Sequence, residues 1–282
     1  MPLAPLPRIL IEPLVREALL EDLGRAGDLT TDSIVPQDLT MKTVMAARQE
    51  GVVAGLDLAA LAFSLIDPAI RFEVVAEDAA AVQPGASVAI VEGPARGILT
   101  AERVALNFVS RMSGVASATA KLAAAVKHTK ARIVCTRKTT PLLRAIEKHA
   151  VRAGGGSNHR FGLDDAVLIK DNHVAVAGSV AEAIRRVRAH VGHLVKIEVE
   201  VESLVQLEEA LRLGVDAVLL DNMSLEDLKR SVGMIDGRAI SEASGRVTPE
   251  TTGAIAETGV DLISVGWLTH SAPILDIGLD AA

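Results

Sequence analysis

The sequence predicts an α/β protein in two parts: an N-terminal mixed α+β sandwich domain, then a parallel α/β barrel of about six β/α units. Three observations lead there. From residue 133 onward, short apolar runs alternate with helical patterns in units of roughly 20 to 30 residues, the rhythm of parallel strands joined by crossover helices. Between residues 41 and 91 the apolar runs are shorter and closely punctuated by Pro68, Pro84, Gly85 and Gly93, as in an antiparallel sheet. Each apolar run of the second half is followed at once by charged residues, serine or glycine. Parallel-barrel strands aim those ends at one face, where the following loops build an active site. Six units fall short of the eight of a usual barrel. The expected division is 1–106, joined by a C-terminal tail 272–282, and 107–271.

Taken in order, residues 10–23 space Leu10, Leu14, Val15, Ala18 and Leu19 as a helix that Gly24 ends. Residues 21–24 and 27–31 form a turn-rich segment whose acids, Glu21, Asp22 and Asp28, can serve as caps. Strands are expected at 43–47, 51–54, 72–75 and 88–91, with a helix near 56–65. A long alanine-rich helix runs from about 100 to 127, with a break expected near Ser113 and Gly114. The strand 133–135 is followed by Thr140 and Pro141, which read as N-cap and first residue of a helix. Further strands are expected at 166–169, 195–201, 217–220, 239–242 and 262–265. Ser179 with Glu182, Ser203 with Gln206, Ser224, and Thr248 with Pro249 open the intervening helices.

Composition narrows the function. Aromatic residues are 2% of the chain with no tyrosine, which removes base-stacking platforms for single-stranded nucleic acid. A formal charge of −7 argues against nucleic acid and anionic membranes as partners. Early charges at Arg8, Glu12, Arg16 and Glu17 interrupt any signal peptide, and no apolar run reaches bilayer length. The single cysteine, Cys135, cannot form an internal disulfide, so a cytoplasmic protein is expected.

Against this acidic background, residues 136–173 reverse the sign. They carry Arg137, Lys138, Arg144, Lys148, Arg152, His159, Arg160 and Lys170 against Glu147, Asp164, Asp165 and Asp171. Arg137 and Lys138 follow an apolar run, His159 and Arg160 follow the glycines 154–156, and Lys170 with Asp171 closes another run. Cations so placed suit a small ligand with several negative groups. The plainer alternative is a solvated basic helix face and a flexible glycine loop. Other strand ends carry Glu200, Asp221 with Asn222, Ser244 with Gly245, and Gly266. Glu200 and Asp221 suit ribose hydroxyls or a hydrated divalent cation, and the two glycine turns suit a phosphate. Lys196 and Glu198 alternate with apolar neighbours, and their mutual pairing inside the barrel is one way to satisfy both.

The stretch TRKTTPLLRAIEKHAVRAGGGSNHRFGLDDAVLIKDNH, residues 136–173, is similar to the central signature of quinolinate phosphoribosyltransferases, also called carboxylating nicotinate-nucleotide pyrophosphorylases. The likeness extends along the chain through segments at 21–31, 100–114, 198–202, 219–222, 242–245 and 264–279. It implies an incomplete α/β barrel and a homodimer with shared sites. It also implies a reaction of quinolinate with phosphoribosyl pyrophosphate, giving nicotinate mononucleotide, pyrophosphate and carbon dioxide on the way to NAD. By position, Arg137, His159, Arg160 and Lys170 would line the quinolinate pocket, with Arg103 reaching it from the partner subunit and Thr136 a further substrate-binding residue. Lys138 would serve quinolinate or pyrophosphate, and Asp171 would lie near both ligands. Glu200 and Asp221 would hold the ribose and Mg2+, directly or through water. Ser244, Gly245, Arg246, Val265, Gly266 and Trp267 would surround the 5′-phosphate. Lys138, Lys170, Glu200 and Asp221 are the residues expected to carry catalysis.

Four positions depart from the family pattern: Cys135 for a common Asp, Leu142 for a glycine, Arg246 for an asparagine and Trp267 for a small residue. Two other readings stay open: a related phosphoribosyltransferase for nicotinate or associated with molybdenum transport, and a non-catalytic barrel that senses phosphorylated metabolites.

Overall fold

The computed structural model describes residues 3–281, in two compact units. The first comprises 1–120, 140–155 and 271–282, the second 121–139 and 156–270. The first unit thus takes in 107–120 and 140–155, which the sequence division had assigned to the barrel.

In the first unit, helices α1 (Arg8–Leu23) and α2 (Leu29–Ile34) precede strands β1 (Thr40–Ala47) and β2 (Gly51–Val52), helix α3 (Leu56–Ile66), and strands β3 (Arg71–Val74), β4 (Ala81–Val82) and β5 (Ser87–Pro94). Asp28 caps α2 by accepting from the Thr31 N–H, and Gly24 ends α1 at φ +54°. The main sheet is antiparallel, with β1 between β5 and the C-terminal strand, which pairs Ala47 with Ile277 and Thr43 with Ala281. Helix α1 buries Ile11, Val15 and Leu19, and α3 buries Leu58 and Phe63, whose ring stacks on Phe72 at 5.9 Å.

Helix α4 (Ala95–Val126) is unbroken through Ser113 and Gly114, contrary to the expected interruption. Gly114 is there for a close approach instead: a Cβ would overlap the carbonyl oxygen of Pro273. After strand β6 (Arg132–Val134), helix α5 (Arg144–Ala153) starts later than Thr140 and Pro141 suggest. Thr140 does not cap it. Its N–H and hydroxyl both donate to the buried Glu147 carboxylate, at 3.0 and 2.8 Å, and Arg111 closes the pair at 2.9 Å. The turn before the helix puts Leu142 at φ +67°, where a glycine is the unstrained choice. Helix α5 is no solvated basic face, because Glu147, Lys148 and His149 are all buried.

The second unit is a six-stranded parallel sheet: β6, β7 (Val167–Ile169), β8 (Ile197–Val201), β9 (Ala217–Asp221), β10 (Ile240–Ser244) and β11 (Leu262–Ser264). Helices α6 (Asp171–Ala177), α7 (Val180–His190), α8 (Leu204–Arg212), α9 (Leu225–Ile235), α10 (Pro249–Ala256) and α11 (Trp267–His270) connect them, and β12 (Ile277–Ala281) closes the chain in the first unit's sheet. The sequence does not anticipate the short α6, which Gly178 ends at φ +96°. Ser179, Ser203, Ser224 and Thr248 each accept a hydrogen bond from the N–H three residues on, as their spacing predicts. Sheet order is β6-β11-β10-β9-β8-β7, so β6 and β7 are its two edges and the barrel is incomplete. Lys196 lies just before β8 and pairs with Asp216, not with Glu198.

Candidate active site

A cavity of about 740 Å3 opens at the C-terminal ends of these strands. It draws Thr136, Arg137 and Lys138 from the end of β6, and His159 and Arg160 from the loop before β7. Lys170, Glu200 and Asp221 come from the ends of β7, β8 and β9. Ser244, Gly245 and Arg246 follow β10, and Val265, Gly266 and Trp267 follow β11. Two expected residues are not part of this lining. Asp171 opens α6 and accepts from the Asn172 N–H, and Arg103 lines a separate depression of the first unit with Glu21, Asp22 and Asn107.

At one end of the cavity, Lys170 Nζ and Glu200 Oε2 are 2.8 Å apart. The Asn222 amide donates to Asp221 at 2.7 Å. A Cβ at Gly266 would sit 2.9 Å from the Lys138 side chain, so glycine leaves that lysine its place in the cavity. Gly245, at φ +104°, leaves no room for a Cβ beside Asn222.

The other end is more crowded with charge. Arg160 donates to the Ala166 carbonyl at 3.0 Å, and burial first and Arg137 second lower its pKa. Asp165 anchors this loop by accepting from the N–H groups of Phe161 and Gly162. Among the described residues, three buried side-chain polar atoms lack a hydrogen-bond partner: Arg137 Nε, Arg160 Nε and Glu242 Oε1. All three belong to residues lining this cavity. Unmet buried donors are costly, and two guanidinium groups lining one cavity suit an anionic ligand with more than one acceptor group.

The comparisons with known proteins agree. Models of the quinolinate phosphoribosyl transferase N-terminal and C-terminal domains match residues 28–113 and 115–280. The chain belongs to the quinolinate phosphoribosyl transferase family. It is 46% identical over 271 residues to the nicotinate-nucleotide pyrophosphorylase [carboxylating] of Mycobacterium leprae, covering 94% of this chain and 95% of that one. A probable enzyme of the same name from Bacillus subtilis is 41% identical over 270 residues, covering 96% and 93%. The crystal structure of NadC from Streptococcus pyogenes superposes with a TM-score of 0.95 at 40% identity, covering 99% of both chains.

Within this transferase family pattern, the departures acquire physical content. Cys135 is buried, and its thiol donates to Asn158 at 3.3 Å. Arg246 holds φ +41°, a conformation that the more usual asparagine tolerates better. The Trp267 indole N–H donates to the Val247 carbonyl at 3.0 Å, which fixes the ring at the cavity wall.

Sequence reasoning missed Glu242 as a site residue, having taken it for the end of a strand. Its signal was there: a carboxylate inside a central parallel strand, a position normally filled by apolar residues. It is 1% exposed, and burial, followed by the nearby Glu198, pushes its carboxyl up to about 7. His159 Nε2 lies 2.8 Å from Glu198 Oε2 and 3.7 Å from Glu242 Oε1. These three residues bring ligand-type atoms within 4.8 Å of one another, yet they suit a metal poorly. The Arg160 N–H donates to His159 Nδ1 at 2.8 Å, so the neutral ring carries its proton on Nε2. A metal on Nε2 would require that proton on Nδ1, facing the Arg160 donor.

The raised carboxyl of Glu242 has a consequence for stability. Its folded value, about 7, lies above the ordinary 4.5, so the ionised form is the disfavoured one. Stability is untouched below pH 4.5, falls as pH rises toward 7, and is lower by about 3 kcal/mol above that. Glu242→Gln should therefore lose less stability than the wild type between pH 5 and 8 in urea unfolding. Equal losses in both proteins would refute the assignment.

Proposed function

We propose that the protein transfers the phosphoribosyl group of phosphoribosyl pyrophosphate to quinolinate, with loss of carbon dioxide, in the synthesis of NAD. The observation that carries this reading is the pair of unpartnered guanidinium nitrogens, Arg137 Nε and Arg160 Nε, in one cavity with the carboxylates Glu200 and Asp221. Quinolinate presents two adjacent carboxylates, a match for two forked cations. The family membership supports the same substrate. It weighs against the nicotinate, molybdenum-associated and purely binding alternatives.

The quinolinate nitrogen attacks the anomeric carbon of the ribose as pyrophosphate leaves. Glu200 and Asp221 face the ring that gains positive character, while Lys138 and Lys170 offset the charge of the leaving group. The ribosylated ring nitrogen is then cationic and draws electrons from the adjacent carbon. The bond to that carbon's carboxylate breaks, carbon dioxide departs, and the carbon keeps the electron pair and takes a proton. No protein nucleophile is needed. The turns at Ser244 to Arg246 and Val265 to Trp267 are assigned to the 5′-phosphate, through backbone N–H groups that glycine leaves open.

Glu200 and Asp221 supply the hard oxygen donors that Mg2+ prefers, directly or through water. Bound there, the ion would neutralise pyrophosphate oxygens. Arg103 is assigned to the cavity of a second copy in a homodimer, following the family resemblance. That it lines a depression of the first unit, apart from the other site cations, is compatible with this role. We assign the enzyme to the cytoplasm, a reducing compartment with which a single buried Cys135 is compatible.

Nicotinate, lacking one carboxylate, should show a kcat/KM lower by at least about a hundredfold, from roughly 3 kcal/mol of lost pairing. Comparable values for the two acids in a pyrophosphate-release assay would sink the assignment. Excess chelator should abolish turnover and added magnesium should restore it; full activity in chelator would remove the metal from the account. Arg103→Ala and Lys170→Ala, each inactive alone, should complement when mixed and allowed to exchange subunits. Each heterodimer regains one intact site of two, because both defects fall in the other. Demonstrated exchange with no recovered activity would contradict the shared site.

A further inference from the structure

We propose that Glu242 is a positioning residue that holds a proton beneath the dicarboxylate pocket, so that binding of the dianionic acid draws a proton into the protein. This inference rests on the quinolinate reading above. It starts from His159, whose two ring nitrogens are both committed. Nδ1 accepts from the Arg160 N–H at 2.8 Å, and Nε2–H points at Glu198 at 2.8 Å. The ring therefore brings one proton to two carboxylates, and Glu198 takes it. Glu242 Oε1, 3.7 Å from the same Nε2, is left without a partner.

The groups around Glu242 do not neutralise it. On β10 it lies in register with Leu219 of β9 and Leu262 of β11, neither ionisable. Ser264 of β11 offers a hydroxyl, Glu198 of β8 offers a like charge, and His159 is the shared imidazole. Of the cavity cations, Lys170 is already paired with Glu200. Arg137 and Arg160 each leave Nε unpartnered, and neither pairs with Glu242. An ionised Glu242 would be a second anion beside one neutral imidazole, at a position only 1% exposed. The carboxylic acid form avoids this, and the upward shift of its carboxyl has the same direction.

The ligand supplies the functional consequence. A dianion settling on Arg137 and Arg160 places negative charge over the same floor, and it binds more weakly where Glu242 is ionised. Linkage makes this reciprocal: the bound acid raises the proton occupancy of Glu242, and affinity falls as pH rises through its titration. Glu242 thereby keeps the floor of an anion pocket uncharged. With Glu198 it also keeps His159 as the Nε2–H tautomer that receives the Arg160 N–H.

The test is calorimetric titration of quinolinate alone into the full-length protein at pH 7.5, in two buffers of different ionisation enthalpy. Wild type should take up about half to one proton per acid bound, and its affinity should drop about tenfold between pH 6 and 8.5. Glu242→Gln should bind with near wild-type affinity at pH 6, with almost no proton uptake and a flat profile. Glu242→Asp should retain the uptake, separating titration from packing. Nitrogen NMR of His159 should show the neutral Nε2–H form across this range, a readout that survives if the Gln variant fails to fold. Binding without proton uptake, equal uptake in Glu242→Gln, or a charged His159 would overturn the proposal. So would a stoichiometric divalent ion in purified wild type that the Gln variant lacks. Failure of quinolinate to bind the wild type at all would instead overturn the functional reading.

Discussion

Two guanidinium groups held in one cavity, against their mutual repulsion and with a nitrogen of each unmet, set the terms for the rest of the second unit. Burial and the charge of Arg137 both act on Arg160. Such a pair persists only if the scaffold fixes both and a ligand completes them. The scaffold does so beside edge strand β6, because Ser157, just ahead of His159 and Arg160, is bridged to Val134 of that strand. Arg137 follows edge strand β6, and Arg160 lies in the loop that leads into edge strand β7. Two stretches of chain, 136–138 and 159–160, thus meet in one cavity at the strand ends.

The acids of the site are distributed by depth. Glu200 and Asp221 sit at strand ends, where Glu200 meets Lys170 and both carboxylates remain available to a sugar or hydrated cation. Glu198, two residues earlier on the same strand, is buried and holds His159. Glu242, in the central strand β10, has an oxygen without a hydrogen-bond partner, and among the described residues only the imidazole of His159 pairs with it, at 3.7 Å. A carboxylate at the rim can do electrostatic work in its charged form, whereas one at the floor is favoured as the neutral acid. Strand alternation brings this about, because Glu198 and Glu200 point to the same side and differ only in height.

Much of this was legible in the sequence because local signals and the fold agree. Charged residues directly after apolar runs marked Arg137, Lys138, Lys170, Glu200 and Asp221, and these do converge. Serine and threonine caps marked four helix starts correctly, since a cap needs only its own turn. What failed depended on distant partners. Gly114 read as a helix break because the approach of Pro273 cannot be seen locally. Thr140 read as a cap, yet it serves Glu147 of the same helix. Lys196 found Asp216 rather than Glu198, and Glu242 was hidden because the groups around it, Glu198, His159 and Ser264, come from three other segments.

Arg137 and Arg160 are assigned together to the two carboxylates of one pyridine dicarboxylate. A crystal structure of the protein with quinolinate bound tests this most directly. Each guanidinium should contact a carboxylate, and Arg137 Nε and Arg160 Nε should both gain partners. Quinolinate seated toward Glu200 and Asp221, with both of those nitrogens still unmet, would contradict it.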